Sequence, residues 1–214
     1  MKVKEIYTNL FLYTFPNQYE LASTFIRLQE FYESPYKEIK GKYFTLETFM
    51  DLYAKDNKDK FTYFEDWNGF NVPGDIVWEF QDLYAGDLNE KEANLLNKKD
   101  ELVKDDFYII GIVEGEVDTL SHEIAHGLYY LNKNYKREMS KLINNMPILL
   151  KQRVEKYLLN IGYCKVVLKD ELQAYFATGI KEGMIHIWHH IIYQSYIQKI
   201  KKIFKNYSKD IKSC

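Results

Sequence analysis

The chain has 214 residues, 46% of them hydrophobic and 28% charged, enough to build a sizeable core without disulfide staples. Lys+Arg 29 against Asp+Glu 31 leaves a formal charge of -2, which provides no electrostatic footprint for nucleic acid. Two cysteines, Cys164 and Cys214, exclude a disulfide framework and a Cys-rich zinc module, and no run of apolar residues is long enough to predict a membrane span.

The N-terminal apolar stretch is interrupted by Thr8, Asn9 and Thr14 and lacks a small-residue cleavage site, so the expected compartment is the cytoplasm. Ile6 to Phe15 reads as a strand, and Leu21, Phe25, Leu28 and Tyr32 recur with helical period between Tyr19 and Tyr32. Thr45 can cap a helix that runs through Ala54. Phe61 to Trp67 predicts another strand, Asn71-Val72-Pro73-Gly74-Asp75 a turn, and Ile76 to Tyr84 and Asn89 to Val103 two helices. Asp106 to Val113 has the β-rich composition of a buried strand, after which Asp118 or Thr119 caps a helix to about Leu131. Tyr135 to Leu159 predicts a long helix bent at Pro147, and Ile161 to Leu168 is β-like. Lys169 to Ala177 and Ile185 to about Phe204 predict two further helices. The expected fold is α+β, one domain over 1–214, mostly helical with a small sheet. Residues 1–104 are expected to form an N-terminal α/β portion of open role, and 105–214 a core, read below as metal-binding from its His and Glu residues, that ends in a long helix.

His122-Glu123-Ile124-Ala125-His126 is the pattern that carries chemistry. On a helix, positions i and i+4 sit about 40° apart on one face, so both imidazoles can reach one tetrahedral ion. Glu123 points about 100° away from His122, poorly placed as a ligand but able to act as a base on a water in the open position. Leu120, Ile124, Leu128 and Leu131 form an apolar stripe that makes this helix a core element.

Two histidines hold zinc poorly, and a catalytic site needs a third protein ligand. A local third histidine fails, because positions 129 and 132 are Tyr129 and Asn132 rather than Gly and His. The best candidate is Glu171 in Lys169-Asp170-Glu171-Leu172-Gln173-Ala174-Tyr175, with Asp170 as its near rival. Small residues on both helices, Ala125 and Gly127 on one and Ala174 and Ala177 on the other, suggest close packing.

These two segments, within about positions 107 to 178, resemble the zincin metallopeptidases of the gluzincin, thermolysin-like branch. The resemblance implies a zinc peptidase with Zn2+ held by His122, His126 and Glu171, Glu123 as general base, and a peptide or protein as substrate. Many gluzincins carry an acid four residues after the glutamate ligand to orient a histidine; here that position is Tyr175, leaving Asp118, Asp170 or a backbone carbonyl as substitutes. In such peptidases a Tyr or His stabilises the oxyanion, so Tyr175, His186, His189 and His190 are candidates, with Tyr175 and His186 put forward. The alternatives are a zinc-stabilised binding or regulatory protein without turnover, and a metal hydrolase acting on a non-peptide amide.

Overall fold

The computed structural model describes residues 1–102, 106–163, 165–185 and 191–212. It is an α+β structure, with helices and one small mixed sheet, and the chain forms two compact units, Met1–Thr119 and Leu120–Cys214. The boundary therefore falls 15 residues later than the division expected at 104/105. The buried strand assigned to the metal-binding core belongs instead to the first unit, where it is the strand between two others. No described helix is long and apolar enough to cross a membrane.

In the first unit, strands β1 (Lys2–Tyr7), β2 (Leu10–Phe15), β3 (Gly69–Pro73) and β4 (Tyr108–Val113) form a sheet in the order β1-β2-β4-β3. The single strand expected from Ile6 to Phe15 is a hairpin. Asn9 turns the chain at φ 61, a conformation that Asn tolerates, and its N–H is held by Glu5 Oε1 at 2.9 Å. β2 and β4 pair in parallel, which requires a long crossover, and residues 16–107 supply it with five helices and β3.

Helix α1 (Gln18–Glu33) is capped by Asn17, whose side chain accepts from the Glu20 N–H. Its apolar face lies on the sheet so closely that a Cβ on Gly111 would stand 2.5 Å from the Phe25 ring, so β4 needs a glycine there. Helix α2 (Leu46–Asp56) begins at Thr45, as its capping chemistry predicts. Phe61 to Trp67 is not a strand. It contains the short helix α3 (Tyr63–Asp66), and Phe61 and Tyr63 pack with Phe49 and Tyr53 at ring separations of 5.3 to 6.4 Å. The strand is displaced to Gly69–Pro73, where a turn was expected.

Helices α4 (Gly74–Leu83) and α5 (Glu90–Leu102) complete the unit. Arg27 of α1 reaches Glu92 of α5 at 2.8 Å and Asp87 Oδ2 at 2.8 Å, a buried forked pair that pins the two helices.

The second unit is helical throughout its described residues. Helix α6 (Val117–Leu131) carries His122 and His126 and starts just before the residues expected to cap it. Asn132 both ends it and caps α7 (Lys133–Asn144), its side chain accepting from the N–H groups of Asn134 and Tyr135. The helix expected to bend at Pro147 breaks there instead, because proline starts α8 (Ile148–Asn160) but offers no N–H to continue α7. The β-like stretch after Asn160 forms turns before α9 (Leu168–Thr178). Helix α9 packs against α7, α8 and the last helix, α10 (Gln194–Tyr207), and is buried around most of its circumference. The terminal helix expected from Ile185 to about Phe204 is seen as Gln194–Tyr207, and residues 186–190 lie outside those described.

One buried acid in the first unit gives the fold a pH signature. Burial raises the Glu30 carboxyl to about 7, against opposing hydrogen bonds from Ser34 and Tyr63. The unfolded chain ionises first, so this group's stabilisation is full below its ordinary value of 4.5 and is lost as pH rises to about 7. Urea midpoints of the parent and Glu30→Gln are expected to diverge by up to about 3 kcal/mol between acid and neutral pH, the variant gaining at neutral pH. A pH-independent difference would contradict this assignment.

Candidate metal centre

Helices α6 and α9 supply the polar side chains of one buried cluster. His122, Glu123 and His126 sit in the middle turns of α6, and Asp170 and Glu171 in the first turn of α9. The i,i+4 spacing brings the two Nε2 atoms to 3.2 Å. Glu171 straddles them, with one oxygen 3.6 Å from His122 Nε2 and the other 3.5 Å from His126 Nε2. One ligand atom from each residue lies within 4.8 Å of the others. A tetrahedral ion with bonds of about 2.1 Å holds its ligands about 3.4 Å apart, so these separations fit one ion.

Each imidazole is oriented through its other nitrogen. His126 Nδ1 lies 3.1 Å from Asp170 Oδ2, so an Nδ1–H there donates to the carboxylate and turns Nε2 toward the cluster. Thr178 Oγ1 donates to the Ala174 carbonyl at 2.8 Å, leaving its lone pairs facing His122 Nδ1 at 3.5 Å. Asp170, the rival ligand, is therefore an orienting group, and Asp118 is exposed at the start of α6. Among the described residues, the ligand-forming group contains only His122, His126 and Glu171.

Gln173 joins the two helices. Fully buried, it donates from Nε2 to the Ala125 carbonyl at 3.1 Å and to Asp170 Oδ1 at 2.9 Å, and it accepts from the Tyr135 hydroxyl at 2.7 Å. Nothing in its spacing marks it in the sequence beyond a polar residue among buried apolar neighbours.

The electrostatics favour a cation. Burial alone would lower the His126 pKa, but Asp170, Glu171 and Glu123 outweigh it and hold the imidazole well above its ordinary value. Glu123 and Glu171 are buried, and one Glu171 oxygen has no hydrogen-bond partner. Two imidazole nitrogens, each facing one oxygen of a buried acid, form a donor set that could hold a divalent metal.

Tyr175 is buried, with its ring 4.5 Å from that of His122 and its hydroxyl 3.2 Å from the hydroxyl of Tyr163. Burial, then Glu171 and Tyr175, push the Tyr163 phenol far up, so it stays protonated at neutral pH. Tyr163 lies in the stretch read as β-like and was not a candidate. His186, with His189, His190 and Cys164, lies outside the described residues.

No protein-family model, curated protein or solved structure matches this chain, so any functional reading rests on the geometry. Gln173→Leu keeps the volume but strips partners from the Ala125 carbonyl and the Tyr135 hydroxyl. It is expected to lower unfolding stability by about 3 kcal/mol in urea titration; a loss within error would show that this bridge holds nothing.

Proposed function

We propose that the chain is a zinc-dependent hydrolase, a metallopeptidase, with Zn2+ held by His122, His126 and Glu171 and with Glu123 as general base. The observation that carries this reading is the meeting of two Nε2 atoms 3.2 Å apart with a buried Glu171 oxygen that has no other partner. Two imidazoles and one carboxylate match a catalytic set of three protein ligands. Their second partners, Asp170 and Thr178, supply the orientation such ligands need. When bound, such an ion supplies Lewis acidity and a nucleophile near neutral pH.

The chain's own residues then perform the proton work. Glu123 is buried on the ligand helix, and its charge is felt by both His126 and Tyr163. As water oxygen bonds to the scissile carbonyl carbon, the Glu123 carboxylate takes the proton. The C–N bond breaks, and Glu123 returns the proton to the departing nitrogen. Tyr163 and Tyr175 are phenol donors for the negative charge that develops on the carbonyl oxygen.

Zinc dialysis is expected to load one ion per chain, with Asp170→Asn weakening affinity by about 10–100-fold. Peptide-library cleavage should require zinc and disappear in Glu123→Gln, which should retain the ion. Cleavage by the zinc-loaded variant would overturn the assigned base, and zinc retention without any cleavage by the parent would leave a zinc-stabilised binding protein. For Tyr163→Phe, kcat should fall about 100-fold with KM little changed; an unchanged kcat would remove Tyr163 from the chemistry.

A further inference from the structure

We infer that the segment received at this centre is acidic: a peptide rich in Asp and Glu whose carboxylate meets Lys181. The inference rests on the hydrolase reading for the site and adds the class of substrate.

Lys181 lies three residues beyond the end of α9 and is exposed, with Nζ 5.2 Å from the centroid of the Tyr175 ring. The same ring packs 4.5 Å from His122. One aromatic ring therefore carries a cation at one contact and a candidate ligand at another, a fixed charge beside the centre rather than a remote one. Among the described residues no acid pairs with Lys181, including its neighbour Glu182.

The charge of the unit points the same way. Residues from Leu120 to Cys214 include sixteen Lys and Arg but only seven Asp and Glu. Three of those acids, Glu123, Asp170 and Glu171, are spent in the cluster; Glu138, Glu155, Glu182 and Asp210 remain. From Met1 to Thr119 the balance reverses, thirteen against twenty-four. The whole-chain charge of -2 hides this segregation. A short acidic peptide responds to local cations within about 8–10 Å at ordinary salt. A nucleic acid would meet the same local cations, but peptide hydrolysis at the proposed site selects a peptide as the acidic occupant.

The test uses the zinc-loaded full chain carrying Glu123→Gln, so that binding is read without turnover. Fluorescence anisotropy compares a labelled Asp/Glu-rich peptide with its Asn/Gln counterpart and with a single-stranded oligonucleotide. The acidic peptide is expected to bind at least about tenfold tighter than the neutral one, weakening as salt rises. Lys181→Glu should lose that preference and Lys181→Arg keep it, with circular dichroism unchanged because the position is exposed. Equal binding of the two peptides, no binding of either, an unaffected Lys181→Glu variant, or tighter binding of the oligonucleotide would each overturn the inference. Cleavage by the parent separates the two readings. Acid-selective binding without cleavage sinks the hydrolase alone, and cleavage indifferent to acidic residues sinks the acidic substrate alone.

Discussion

The second unit is organised around buried negative charge that needs a positive partner. Glu123, Asp170 and Glu171 all bear on His126, and the fold gives Glu123 and Glu171 little access to water. Isolated carboxylates are costly in such surroundings. A proton on His126 balances part of that charge. The same constraint explains why α9 is almost entirely buried yet carries acids and an amide in consecutive turns. Apart from Glu171, the buried polar groups there have prescribed neighbours: Asp170 with His126 and Gln173, Gln173 with Ala125 and Tyr135, and Thr178 with Ala174. Such a network specifies one registration of α9 against α6, since sliding either helix by a turn would strand several groups at once.

The parts of the site that were legible in the sequence are those that follow from helix geometry. His122 and His126 share a face because of 3.6-residue periodicity, and Glu171 stood out as an acid among apolar and small residues on a second helix. Asp170 could be named as a rival or an orienting group, but which role it takes depends on where α9 lies against α6. Tyr163 and Thr178 have no comparable pattern. One comes from a turn, and the other acts through a helix-end hydroxyl that also satisfies a carbonyl one turn back.

The fold shows a similar division. Capping at Thr45 and the composition of β4 are local signals, and the helix and strand formed where those signals placed them. Phe61 to Trp67 has strand-forming aromatics, but those side chains are consumed by a cluster on α2, where a helical turn aims them better. β3 contains glycine, asparagine and proline, all poor strand formers, yet it pairs with the buried strand β4 and places Pro73 at its end, where a missing N–H costs least. Pairing across the sheet, rather than composition, decides that segment.

The parallel partnership of β2 and β4 also imposes an order on biogenesis. The first hairpin is synthesised early, but its strand of destination arrives only after nearly a hundred further residues have emerged. Until then, the apolar flank of β2 is an open template that must avoid other chains. That distant pairing gives a high contact order to the half of the polypeptide that holds none of the proposed ligands.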